Sequence, residues 1–167
     1  MEEGGIRLAY PLPGREFIIR TDASKEGIGA ALLQLTPEGD ELPIMYAHRV
    51  YNQPEKYYPI TDQEGLAVKE AIKKWFHQYI WGTDFKVYTD HQPLLSAFTN
   101  RSIEGRLGKW IYALSEFNFD MVHVSGKDNE LADTLSRTPR PKNEQMSLRH
   151  VQLILKTNGF DVYEFRD

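Results

Sequence analysis

The sequence predicts an α/β fold: one mixed five-stranded sheet, three antiparallel strands followed by parallel additions, flanked by helices. Three observations carry this. Residues 17–50 hold three short runs of branched and aromatic residues separated by turn clusters, the pattern of an antiparallel meander. Beyond residue 60, stretches of helical period alternate with further strand-like runs, and such alternation joins strands in parallel. The chain has 167 residues, 41% of them apolar and 26% charged, enough for one domain with its own core.

Residues 1–15 read as a lead-in, because Pro11, Pro13 and Gly14 break any regular element. The first strand is 17–22, and the second runs 27–35 after a turn at Lys25-Glu26-Gly27. Thr36-Pro37-Glu38-Gly39-Asp40 is a turn cluster, followed by a third strand at 43–50. A loop with Pro54 and Pro59 leads to the clearest helix, 62–79. Its apolar face is Leu66, Val68, Ile72, Trp75, Phe76 and Tyr79, with Lys69, Glu70, Lys73 and Lys74 largely opposite. Thr61 and Glu64 match a capping box at its start, and Gly82 ends the segment. A fourth strand, 85–89, stops at Asp90, and Pro93 opens a short helix. Residues 103–114 form another amphipathic helix, with Arg101, Arg106 and Lys109 available to solvent. The alternating segment 117–124 is the fifth strand. A last helix starts at Asp128-Asn129 and contains Asp133. Pro139 and Pro141 mark a boundary, and the tail carries a helical pattern over 145–156. The expected division is therefore a lead-in (1–15), a domain (16–137) and a C-terminal extension (138–167).

Composition narrows the chemistry. There is no cysteine, which excludes disulfides and thiolate metal sites and fits a reducing, intracellular compartment. No apolar run is long enough to span a membrane, and the acidic start lacks the form of a signal peptide. The net charge of −4 is unlike that of a typical nucleic-acid binder, but it is unevenly spread. Residues 65–110 carry seven Lys and Arg against four Asp and Glu, a basic middle between acidic segments. His48, His77, His91, His123 and His150 are scattered, without the paired spacing of a zinc site.

Four carboxylates stand at element boundaries: Asp22, Glu64, Asp90 and Asp133. Each has a plain structural reading. Asp22 suits a turn cap, Glu64 the capping box, Asp90 an N-cap, and Asp133 a partner for a helix dipole. Together they admit another reading. Asp22 and Asp90 both end strands, where open α/β sheets place their sites, while Glu64 and Asp133 begin helices. Clustered carboxylates repel unless cations lie between them, and Mg²⁺ is the natural occupant of an all-oxygen set.

The runs Thr21-Asp22-Ala23-Ser24, Gly27-Ile28-Gly29-Ala30, Glu64-Gly65-Leu66-Ala67, Tyr88-Thr89-Asp90-His91-Gln92-Pro93-Leu94 and Gly126-Lys127-Asp128-Asn129-Glu130-Leu131-Ala132-Asp133-Thr134-Leu135-Ser136-Arg137 occur in series. They closely resemble the ribonuclease H domain of Ty3/gypsy-type LTR-retrotransposon reverse transcriptases, and the resemblance covers 17–137. It implies a ribonuclease H-like fold and metal-dependent hydrolysis of the RNA strand of RNA–DNA hybrids. Asp22, Glu64, Asp90 and Asp133 would be both the catalytic and the metal-binding residues. Two Mg²⁺ ions, for which Mn²⁺ can substitute, would be bridged by Asp22, with Glu64 and Asp90 completing one site and Asp133 supporting the other. The implied partners are the hybrid and a polymerase domain, in cis or in trans. The implied location is cytoplasmic, within virus-like particles. Cellular relatives carry a His in the loop before the last Asp; here that loop reads Ser125-Gly126-Lys127-Asp128, leaving Lys127 or His123 for its role. The alternatives are a non-catalytic module of this fold that holds nucleic acid or a polymerase partner, an integrase-type enzyme, and a host protein derived from a retroelement.

Overall fold

The computed structural model describes residues 5–7, 9–101 and 104–125. The predicted last helix with Asp133, the loop residue Lys127 and the tail pattern over 145–156 lie outside the described residues. The strands are β1 (Gly5–Arg7), β2 (Phe17–Ala23), β3 (Gly27–Leu35), β4 (Glu41–Val50), β5 (Asp84–Thr89) and β6 (Asn118–His123). They form one sheet in the order β1-β4-β3-β2-β5-β6. β2, β3 and β4 pair antiparallel, and β5 and β6 add in parallel. The mixed sheet is thus the one the sequence predicts. The additional strand, β1, pairs antiparallel with β4 inside the segment expected to be irregular. Three residues are too few to show a period, and β1 forms because the edge of β4 offers it main-chain partners.

β3 is the middle of the meander, and Gly27 to Gln34 are all buried. Its first residue has to be glycine. A Cβ on Gly27 would stand 2.1 Å from the Arg49 carbonyl oxygen of the neighbouring strand. The helices are α1 (Ile60–Glu70), a π turn (Ala71–Trp75), α2 (His77–Ile80), α3 (Gln92–Thr99) and α4 (Gly105–Leu114). The core lies between the sheet and α1 with its π turn. Ile19, Leu32 and Val87 from the strands and Ala67, Ile72 and Phe76 from the helix are fully buried there. Each large apolar side chain so buried contributes about 1.5–3 kcal/mol.

The long helix expected over 62–79 is present but not continuous. Phe76 N–H donates to the Ala71 carbonyl at 2.9 Å, five residues back, and Phe76 leaves helical geometry at φ −114°. One extra residue per turn rotates the apolar stripe, so that Trp75 and Phe76 both reach the core. Gly82 ends the segment at φ +75°, as expected. Two predicted caps do not form. α1 starts at Ile60 behind Pro59, so Thr61 is already helical and the Thr61–Glu64 capping box is absent. Pro59 sets this earlier start, because it cannot continue a helix backwards. α3 begins after His91, so Asp90 is not its N-cap either. Among the described residues, no helix is long and apolar enough to cross a membrane.

Candidate metal centre

Asp22 is the penultimate residue of β2, and Asp90 directly follows β5. These strands are parallel neighbours, with Ile19 opposite Val87 and Arg20 opposite Tyr88. Two residues beyond that last pair, the chains deliver Asp22 and Asp90 side by side. Thr21 and Thr89, just before them, are fully buried. Glu64 comes from the second turn of α1, a helix that packs on β2 and β3. One carboxylate oxygen from each of Asp22, Glu64 and Asp90 lies within 4.8 Å of the others. Asp22 is 4% and Glu64 5% exposed, and Asp90 is half-buried.

Two of the plain readings of these acids are not borne out by the local structure. The turn after β2 is capped by Ser24, whose Oγ accepts N–H from Glu26 at 3.2 Å and from Gly27 at 3.3 Å. Ser24 is thus one cap of the turn that follows Asp22. The capping box expected of Glu64 and the N-cap expected of Asp90 are not formed. Three carboxylates are thus gathered in a mostly buried volume. The set is all oxygen, from three separate elements, and fits a hard divalent cation. Asp133 lies outside the described residues, so its expected place beside these three is not described.

Further groups surround the cluster. Thr61 Oγ1 meets His91 Nε2 at 3.1 Å, joining the start of α1 to the residue after Asp90. Burial lowers the His91 pKa, while the neighbouring Asp90 charge opposes this. Tyr51 is buried and donates its hydroxyl hydrogen to the Ser24 carbonyl at 2.8 Å. Burial pushes its phenol far above the ordinary range, and the charges of Glu64 and Asp22 push it further, so Tyr51 remains a neutral donor. His48, also buried, stands in register with Gly29, which itself faces Asp22. Arg49 and Glu55 form a bidentate pair at 2.6 and 2.8 Å beneath the loop that leads to α1. Sequence reasoning missed Tyr51, Glu55 and the Thr61–His91 bridge. No local motif marks Tyr51 or the Thr61–His91 bridge, whose partners lie 27 and 30 residues away, whereas the Asn52-x-x-Glu55 spacing was a local signal for Glu55.

Comparison with known proteins places the chain by family and by fold. The family model described as an RNase H-like domain found in reverse transcriptase matches residues 12–117. The chain is 42% identical over 130 residues to the retrovirus-related Pol polyprotein from transposon 412 of Drosophila melanogaster, covering 78% of this chain and 10% of that protein. It is 33% identical over 156 residues to the transposon Tf2-3 polyprotein of Schizosaccharomyces pombe, covering 87% of this chain and 12% of that protein. The chain thus spans about a tenth of the length of the curated relatives it matches. Among solved structures, RNase H1 from Halobacterium salinarum NRC-1 superposes with a TM-score of 0.53 at 16% identity, over 72% of this chain and 93% of that one. The foamy viral protease-reverse transcriptase solved with dsDNA gives a TM-score of 0.58 at 15% identity, over 71% of this chain and 25% of that one. These two likenesses establish the fold. The family match and the sequence relatives establish the membership: this chain belongs to the RNase H-like domains of reverse transcriptases, of the kind carried by Ty3/gypsy-type retrotransposon Pol polyproteins.

Proposed function

We propose that this chain is a metal-dependent endonuclease that hydrolyses the RNA strand of RNA–DNA hybrids during retroelement reverse transcription. The observation that carries the reading is the convergence of Asp22, Glu64 and Asp90. Three elements deliver three acids to one point, and the caps expected of Glu64 and Asp90 are not made. Such an arrangement destabilises the fold unless positive charge is bound there. Asp22, Glu64 and Asp90 would hold Mg²⁺, or Mn²⁺ in its place, and Asp133 is proposed as the fourth ligand. Bound there, the divalent ions would activate a water for in-line attack at phosphorus and stabilise the leaving 3′ oxygen.

The chain's own residues orient the site. Parallel pairing of β2 with β5 sets the spacing of Asp22 and Asp90. The Thr61–His91 bridge holds the start of α1 against the β5–α3 junction. A preference for RNA would come from contacts to 2′-hydroxyls, which DNA lacks. The hybrid-bound foamy viral protease-reverse transcriptase among the solved relatives supports this substrate, as do the Pol relatives a polymerase partner, in cis or in trans.

Matched RNA–DNA hybrid, duplex DNA and duplex RNA, incubated with and without Mg²⁺, test the reading. Cleavage confined to the RNA of the hybrid and abolished by chelation is the expected result. Equal cleavage of duplex DNA would instead favour a strand-transfer or general nuclease, and binding without any cleavage a non-catalytic module.

A further inference from the structure

We propose that the Arg49–Glu55 pair positions the metal centre, clamping the loop over 51–59 so that Glu64 is held against Asp22. The inference rests on reading the carboxylate cluster as a metal centre. Arg49, near the end of β4, donates from Nη1 to Glu55 Oε1 at 2.6 Å and from Nη2 to Glu55 Oε2 at 2.8 Å. Its Nε also faces Glu70 of α1, with 3.6 Å between the charged atoms. One guanidinium therefore ties together the strand, the loop and the helix that carries Glu64. Glu55 is buried and has a second set of partners. Its Oε1 accepts Asn52 N–H at 2.9 Å, and its own N–H donates to Asn52 Oδ1 at 3.1 Å.

The clamp reaches both acids through the chain. On one side, the Glu55 carbonyl accepts from Gln63 Nε2 at 3.1 Å, and Gln63 immediately precedes Glu64. On the other, Tyr51 donates its hydroxyl to Ser24 O at 2.8 Å and its N–H to Glu26 O at 3.2 Å, in the turn that follows Asp22. Hydrogen bonds and two peptide links, Tyr51–Asn52 and Gln63–Glu64, thus connect the Asp22 turn through Glu55 to Glu64. A buried ion pair is weak evidence for stability as such, because desolvating both charges offsets much of their attraction. A planar fork on a carboxylate does fix distance and angle. Metal ligands need that, since coordination tolerates only about 0.2 Å of error.

The test uses the full chain and Mn²⁺ alone as probe, with free Mn²⁺ followed by electron paramagnetic resonance. Glu55→Gln keeps the size and the Asn52 bonds but removes the charge; Arg49→Lys keeps the charge but removes the fork. Well below their melting temperatures, both are expected to bind Mn²⁺ about 10- to 100-fold more weakly than wild type, the loss typical of outer-shell partners. Saturating Mn²⁺ should return kcat on hybrid close to the wild-type value. A purely structural role would not move the Mn²⁺ affinity of the folded protein; Ile44→Val, a core variant, serves as that control. Tyr51→Phe removes one hydroxyl from the same run, and a smaller loss in the same direction is expected if the charge variants fold poorly. Wild-type Mn²⁺ affinity in folded Glu55→Gln, Arg49→Lys or Tyr51→Phe would overturn the proposal. Failure of the wild-type chain itself to bind Mn²⁺ would overturn the metal reading first, and this inference with it.

Discussion

At the starting ends of β2, β5 and β6 the protein is held by rings; at the finishing ends of β2 and β5 it crowds carboxylates. Phe85 stacks on Phe119 at 5.2 Å and meets Phe117 edge-on at 6.4 Å. Phe117 meets Trp81 edge-on at 5.4 Å, and Trp81 in turn stacks on His77 at 5.2 Å. Each such contact adds about 0.5–1.5 kcal/mol beyond area burial. The opposite end holds carboxylate oxygens of Asp22, Glu64 and Asp90 within 4.8 Å of one another. One sheet thus separates the two requirements along its length. The ring end supplies rigidity by packing, and the acid end uses that rigidity to hold groups that repel. Polar links appear where packing cannot serve, as in the Arg49–Glu55 fork and the Thr61–His91 bridge.

The largest expected effect breaks the ring end. Phe85→Ala should cost about 3–5 kcal/mol of stability, read by urea denaturation, because it empties a buried aromatic site. The fraction that stays folded should bind Mn²⁺ as wild type does. A parallel fall in affinity would show that the two ends are not separable. Asp22→Asn is the converse. Cleavage should fall by more than the roughly 100-fold that the loss of an outer-shell partner costs. Metal-free thermal stability should hold or rise as repulsion is relieved. Wild-type turnover by a folded Asp22→Asn protein would remove Asp22 from the site.

Glu64→Gln sharpens the comparison further. With no capping box to lose, the helix should keep its melting temperature while Mn²⁺ affinity drops at least about 10-fold, measured by calorimetric titration. Near-normal binding would return Glu64 to a structural role. Thr61→Val should be milder, costing about 0.5–1.5 kcal/mol for the lost hydrogen bond to His91 and lowering cleavage modestly. The smallest effect is a pH dependence. The hydrogen bonds from Arg49 hold the Glu55 carboxyl below its ordinary range, and burial opposes them only in part. A lowered folded pKa gives stability that is present above the ordinary glutamate range and lost as pH falls through the lowered value. Thermal melts of Glu55→Gln across the acid range should therefore lose part of the wild-type acid dependence and keep their neutral and alkaline shape.

The meander was legible because period and turn chemistry agree there. Phe17-Ile18-Ile19 and Ala30-Ala31-Leu32-Leu33 fall on opposite sides of a turn whose glycine is demanded by the Arg49 carbonyl. The strand ends that carry Asp22 and Asp90 were legible for the same reason. The start of α1 was not, because Thr61-Asp62-Gln63-Glu64 satisfies the capping pattern while the helix starts at Ile60 behind Pro59, two residues earlier than that pattern implies. The π turn was hidden as well, since a 3.6-residue period cannot report one inserted residue. β1 and the partners of Arg49 and Tyr51 left no local trace.

By itself, the sequence determined the strands β2 to β6, their mixture of directions, the absence of thiolate chemistry and the identity of Asp22, Glu64, Asp90 and Asp133 as candidate acids. These are properties of neighbours along the chain, where alternation, turn residues and composition act directly. Only the tertiary structure decided that the three acids meet, and that the caps expected of Glu64 and Asp90 are not made. It also decided that the loop before α1 is tied to both β4 and the β2–β3 turn. Convergence depends on the parallel register of β2 with β5 and on the placement of α1 across them. Both are set by burial of side chains far apart in sequence, such as Ile19, Ile72 and Val87.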